Sequence, residues 1–169
     1  MKKSDSQEAR FIAYLERYKK LIAKVARIYC IDTEVRKDLI QDIILQLWKS
    51  FPNYDDTYSI STWTYRIAIN VSISYLRKST TRANTYNAYH QSMELMQIKD
   101  SAIDEKLEQL YRFIDLLKPV DKAIIILYLE DCKNKEIGQI MGMSVSSIST
   151  RKQRIKDKLK LYFESYKPQ

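Results

Sequence analysis

The sequence predicts an all-α fold: two small helical domains joined by a linker. Three observations carry that prediction. Only two of the 169 residues are Gly and three are Pro, so tight turns are few. Apolar residues recur at steps of three and four through most of the chain, which is the period of one helix face. Charge and composition both change near residue 80: the net charge is +5 over 1–80, −2 over 81–105 and +5 over 106–169. Two basic domains around a slightly acidic linker are the simplest organisation. The scarcity of glycine also excludes a Walker-type phosphate loop or a dinucleotide fingerprint, which need several glycines close together. It argues against sandwiches and barrels of many short strands as well.

The elements follow in order. Over 8–30, Phe11, Leu15, Tyr18, Ile22, Val25 and Tyr29 form one apolar stripe, with Glu16, Lys20, Lys24 and Arg27 between them. Ile31-Asp32-Thr33 breaks the stripe and offers caps. A second helix is expected at about 34–50, with Leu39, Ile43 and Leu47 in one row and Ile40, Ile44 and Trp48 beside it. Pro52 stops it. A polar connector, Asn53 to Ser59, leads to a third helix at about 60–79. Its expected inner row is Ile60, Trp63, Ile67 and Val71, and its other side carries Arg66, Asn70, Ser74, Arg77 and Lys78. These three helices make a first domain over 8–80, and residues 81–104, without a clear period, read as the linker. The second domain, 105–163, opens with the stripe Leu107, Leu110, Ile114 and Leu117, stopped at Pro119. A short apolar helix at about 120–130 follows, then Lys135–Met141, a tight joint at Gly142–Ser144, and a long basic helix from Val145 to about Tyr162.

Several function classes drop out. His90 is the one histidine and Cys30 and Cys132 are far apart, so neither a zinc site nor a Ser–His–Asp arrangement is readable. Asp55 and Asp56 read as loop or cap residues rather than a metal pair. No cofactor, no metal and no enzymatic activity are expected. Two distant cysteines suit a reduced cytoplasmic setting. The polar start, MKKSDSQEAR, predicts no signal peptide. The longest apolar run, Ala123 to Leu129, falls far short of the roughly 20 residues that span a bilayer, so no membrane insertion is expected. The net charge of +8 favours an anionic partner.

The segment from Asn134 to Ile155 narrows that partner. Ile137, Ile140 and Met141 are spaced to face inward from one helix. Gly142 ends it, where a left-handed backbone costs Gly least. Ser144 is placed to cap the next helix, which Val145, Ile148 and Ile155 would dock. Gly138 lies mid-helix, where glycine costs about 1 kcal/mol relative to Ala, so a close crossing is expected there. The remaining face of the second helix carries Ser146, Ser147, Ser149, Thr150, Arg151 and Arg154. Small hydroxyls let a helix approach base edges in the major groove, and Arg grips the backbone. This predicts a helix-turn-helix (winged-helix-like) DNA-binding domain at the C-terminal end.

Both halves together resemble bacterial RNA polymerase sigma factors, specifically the small extracytoplasmic-function (ECF) group of the sigma-70 family. Asp38-Leu-Ile-Gln-Asp-Ile-Ile-Leu-Gln-Leu-Trp48 is similar to that family's polymerase-binding helix. Thr62-Trp63-Thr-Tyr-Arg66-Ile-Ala-Ile-Asn70 with Ser74-Tyr-Leu-Arg77-Lys78 is similar to its promoter-melting segment. Leu117 to Leu159 resembles its promoter-reading domain. Ser74 departs from a usual Asp, Lys118-Pro119 from a usual Leu-Pro, and Ser149 and Lys152 from a usual Lys and Leu.

The resemblance implies a sigma factor that binds core RNA polymerase, directs it to promoters and promotes melting. Asp38, Gln41 and Asp42 would face the clamp helices of the largest subunit. Trp63, Asn70, Ser74, Arg77 and Lys78 would meet the downstream (−10) element, although Trp63 also falls on the apolar row, so a core role stays open for it. Ser146, Ser147, Ser149, Thr150, Arg151 and Arg154 would meet the upstream (−35) element as duplex. Linker residues 80–104 would thread near the polymerase active-site channel. An anti-sigma factor, common in the resembled group, is a further implied partner. The alternative is a stand-alone helix-turn-helix transcriptional regulator, which would leave the acidic face at 38–42 without a role.

Overall fold

The computed structural model describes residues 2–83 and 105–165. These are helical throughout apart from short connections, with no strand among them. The chain divides into two compact units, Met1–Met93 and Glu94–Gln169. The expected linker lies outside the described residues from position 84 to 104.

The first unit holds α1 (Lys2–Tyr29), α2 (Thr33–Ser50) and α3 (Ile60–Ala83). Asp32 caps α2, its carboxylate accepting the amides of Glu34 and Val35, both at 2.9 Å. Three residues after Ser50 form a single 3-10 turn, Phe51–Asn53, that contains Pro52. Ser59 then caps α3 by accepting the Thr62 amide at 3.2 Å. Asp55 accepts the Thr57 amide at 3.1 Å; hydrogen bonding from the Thr57 side chain first, and from that amide second, holds its carboxyl below the ordinary range. Asp56 sits in the left-handed region at φ 58°. Both acids are thus turn-forming residues of the connector.

Ile22, Val25, Ala26, Leu39, Ile43 and Leu47 are almost wholly buried where the three helices meet. A Leu or Ile truncated to Ala at such positions costs about 2–5 kcal/mol. The inward row expected for α3 is corrected. Ile60, Trp63, Ile67 and Val71 are only half-buried. The face in the core is Thr62, Thr64, Tyr65, Ala68, Ile69 and Ser72. Its hydroxyls satisfy themselves locally: Thr64 donates to the Ile60 carbonyl at 2.6 Å and Ser72 to the Ala68 carbonyl at 2.8 Å. Tyr14 and Thr64 are bonded at 2.7 Å. Since Thr64 spends its proton on Ile60, the Tyr14 phenol is the donor. Leu15 and Tyr18, expected in the α1 stripe, are half-buried, while Tyr14 and Ala26 take buried places.

The second unit holds α4 (Glu105–Leu116), α5 (Pro119–Leu129), α6 (Asn134–Met141) and α7 (Val145–Ser165). Pro119 stands at the start of α5, where its missing N–H is not needed. Phe113, Ile114, Leu117, Ile124, Leu127, Ile137, Ile140, Ile148 and Ile155 form the core. The side chain of Leu107 lies outside the described residues. Lys122 is 9% exposed and is paired with Asp115 at 3.2 Å, which satisfies a charge that burial would otherwise penalise. Two docking expectations are corrected. Val145 is 48% exposed, because the first residue of a helix that starts at a surface joint points away from the core. Met141 is half-buried.

Candidate nucleic-acid interface

The joint between α6 and α7 is built by its two glycines and a serine. Gly142 ends α6 in the left-handed conformation, φ 65° and ψ 36°, with its amide on the Gly138 carbonyl. The next amide, of Met143, bonds the same carbonyl at 2.9 Å. A Cβ on Gly138 would come within 2.7 Å of the Met143 carbonyl oxygen. The close approach at Gly138 is therefore made by the backbone of the joint, not by a crossing of the second helix. Ser144 caps α7, accepting the Ser147 amide at 3.2 Å, and its hydroxyl also meets those of Ser146 and Ser147 at 3.1 and 2.9 Å.

On α7, Ser146, Ser147, Ser149, Thr150 and Arg154 are exposed. They share the N-terminal half of one helix, so the structure brings them together. Thr150 returns its proton to the Ser146 carbonyl at 3.0 Å. Arg154 makes no ion pair within the described residues. Arg151 differs: its guanidinium is paired with Asp121 of α5 at 2.9 Å, with the Arg151 side chain 41% and the Asp121 side chain 13% exposed. Arg151 therefore braces α7 against α5 while part of its cation stays open to solvent. Sequence reasoning missed this pair because its members are 30 residues apart. It also missed a polar bridge from Asn134, the first residue of α6, to Ser149 at 2.9 Å and Lys152 at 2.8 Å. Tyr128 carries Lys152 over its ring at 4.2 Å and Lys156 at 4.9 Å.

The first unit presents two further sets. Asp38, Gln41 and Asp42 are all exposed on α2, and neither acid is ion-paired within the described residues. Burial first, and then the negative field that Asp38 and Asp42 help to make, raises the Tyr75 phenol above its ordinary pKa. On α3, Asn70, Ser74, Arg77 and Lys78 are exposed. A shallow groove of about 500 Å³ runs between α2 and α3, lined by Asp42, Leu45, Gln46 and Lys49 on one side and Asn70, Val71, Ser74, Tyr75 and Lys78 on the other. It puts Asp42 on one rim and Asn70, Ser74 and Lys78 on the other. Leu45, Gln46 and Lys49 had carried no signal in the sequence beyond lying outside the apolar rows. Trp63 is half-buried in an aromatic cluster, with ring centroids 5.3 Å from Tyr54, 6.0 Å from Tyr14 and 6.4 Å from Phe51. Its indole is thus committed to packing the connector against α1.

Among the described residues no group of three or more His, Cys, Asp or Glu side chains is arranged to hold a metal ion. Within them, no helix is long and apolar enough to cross a membrane.

The described residues thus form two helical units, one with an exposed acidic face and one with a helix-turn-helix. Residues 14–82 match sigma-70 region 2 and residues 107–159 match sigma-70 region 4. The chain belongs to the sigma-70 family of RNA polymerase sigma factors, in its ECF group. It is 27% identical over 159 residues to the RNA polymerase sigma factor SigV of Bacillus subtilis, covering 89% of each chain. It is 26% identical over 136 residues to the ECF RNA polymerase sigma factor SigW of the same organism, covering 73% of each. Among solved structures, its fold resembles the sigma factor RpoE bound to the anti-sigma factor NepR from Bartonella quintana. That match has a TM-score of 0.71 and 17% identity, over 94% of this chain and 99% of that one. CnrH in complex with the cytosolic domain of CnrY is similar too, with a TM-score of 0.66 and 16% identity, over 95% and 91%.

Proposed function

We propose that this sigma factor divides its work between its two units. The first, over 8–80, docks on core polymerase and captures the downstream element; the second, over 105–163, binds the upstream element as duplex. The observation that carries this reading is the exposed front of α7. Ser146, Ser147, Ser149, Thr150 and Arg154 stand clear of the core, on a helix whose entry angle is fixed by Gly142 and Ser144.

In this mechanism no bond is made or broken by the protein, which acts in the cytoplasm as a subunit of the polymerase and not as an enzyme. Asp38, Gln41 and Asp42 present an unpaired acidic face to a basic partner surface, the clamp helices of the largest subunit. Like-signed polymerase surfaces would be repelled, so these charges contribute orientation as much as affinity. Asn70, Ser74, Arg77 and Lys78 take the melted downstream strand, while Trp63, packed among Tyr14, Phe51 and Tyr54, supports the start of α3. Unstacking a base costs a few kcal/mol, so melting persists only if the freed strand is captured by cations and polar groups. In the second unit the hydroxyls approach base edges, Arg154 takes phosphate, and Arg151 contributes a cation already oriented by Asp121. Restraint by an anti-sigma factor is proposed on the precedent of RpoE, whose structure was solved with NepR bound.

Mixing the full chain with core polymerase and a promoter library tests the reading. Chain-dependent transcription from a subset of sequences is expected. DNA binding without any polymerase complex would instead favour a stand-alone regulator.

A further inference from the structure

We propose that Asn134 is a positioning residue that fixes Ser149 as an outward hydrogen-bond donor, so that this serine reads an acceptor atom on DNA. The proposal rests on the reading of α7 as the upstream-element helix. Asn134 is on a different helix, yet its side chain spans two residues of α7: Nδ2 donates to Ser149 Oγ at 2.9 Å and Oδ1 accepts from Lys152 Nζ at 2.8 Å. The orientation of the amide is dictated. An ammonium has three donors and no acceptor, so Oδ1 faces Lys152 and Nδ2 turns to Ser149. Lys152 is itself held, with its ammonium 4.2 Å from the centre of the Tyr128 ring.

Donation therefore runs one way, from Lys152 to Asn134 to Ser149, and the proton of Ser149 is left over. Two other helical hydroxyls show where such a proton ordinarily goes. Thr150 and Ser72 each give theirs to the carbonyl four residues earlier, at 3.0 and 2.8 Å. Ser149 makes no such bond within the described residues, and it is exposed. Its proton is thus left to a partner outside the protein. The matching chemistry on DNA is an acceptor: guanine O6 or N7, adenine N7, thymine O4 or a phosphate oxygen.

Asn134→Asp reverses the polarity at constant shape. A carboxylate only accepts, so it keeps Lys152 and draws the Ser149 proton inward, leaving lone pairs outward. Asp in the first turn also suits the helix dipole, so α6 is not weakened. The assay is affinity of the full chain, assembled with core polymerase, for duplexes varied at each base pair of the upstream element. Methylphosphonate replacements at each phosphate form the second arm. Wild type, Asn134→Asp, Ser149→Ala and the double variant are compared. The expected result is a change of about three- to tenfold confined to one base pair, toward donor-bearing bases such as cytosine, or to one phosphate. In the Ser149→Ala background the same Asp substitution should produce only a uniform loss, from its added charge. A uniform loss with Ser149 present, equal to that without it, would overturn the proposal and leave the DNA reading of α7 intact. Absence of any upstream preference in the wild type would overturn both.

Discussion

Gly138→Ala should destabilise the second unit, although helix propensity alone predicts the opposite. In the interior of a helix, replacing Gly by Ala is favourable by about 1 kcal/mol. Here the new methyl would lie 2.7 Å from the Met143 carbonyl oxygen. That oxygen belongs to backbone, and the Met143 amide is itself bonded to the Gly138 carbonyl, so it cannot swing aside as a flexible side chain would. Overpacking that forces a backbone shift costs about 1–3 kcal/mol. The net expectation is a loss of up to about 2 kcal/mol. Global unfolding of a two-unit chain is not two-state, and both tryptophans are in the first unit. The loss should therefore be read by hydrogen exchange of the α6 and α7 amides, with α1–α3 as the internal reference. At temperatures where the unit stays folded, upstream-element affinity should fall as well, because the displaced joint re-aims α7. Exchange slowed across α6 and α7 by the propensity gain would refute the close-contact reasoning.

Five other outcomes are expected. Gly142→Val should cost about 1–2 kcal/mol through its left-handed backbone and weaken upstream binding without removing a DNA contact, as filter binding of the holoenzyme would register. Arg154→Ala should weaken upstream binding uniformly over sequences and reduce the salt slope by about one, with holoenzyme assembly unchanged; Arg151→Ala should also speed exchange in α7, since it breaks the pair with Asp121. Asp42→Arg should impair assembly with core polymerase while the helical circular dichroism spectrum is retained. The first unit should lose stability as pH rises above 10. Burial pushes the Tyr14 phenol from 10.0 to about 12, so the unfolded chain gives up its proton first and the loss grows until pH passes about 12. Tyr14→Phe should lessen that alkaline decline in a pH series of denaturant titrations, the part that remains coming from the Tyr29 phenol, which burial also pushes up.

Legibility tracked how local each signal was. Leu39, Ile43 and Leu47 recur at helical spacing, and all three are fully buried. Gly142 and Ser144 are adjacent features of one joint, and both act as their chemistry requires. The face of α3 was misread because hydropathy counts Trp63 and Ile67 as core and Thr64 and Ser72 as surface. The hydroxyls can be buried because each bonds a carbonyl one turn back, which offsets the cost of leaving water. Val145 misled for the complementary reason: an apolar residue at the first position of a helix has no core beneath it. The bonds that organise the front of α7, from Asp121 to Arg151 and from Asn134 to Ser149 and Lys152, join different helices. No periodicity within one helix encodes them.

The division of labour between the units is tested most directly by site-specific photocrosslinking in the complete promoter complex. A photoreactive residue is placed at Ser147 in one chain and at Ser74 in another, each assembled with core polymerase on the same end-labelled promoter. Ser147 should crosslink to the upstream element, and Ser74 to the downstream element only when that stretch is open. Crosslinks from both positions to one element, or from Ser74 to closed duplex alone, would contradict the account.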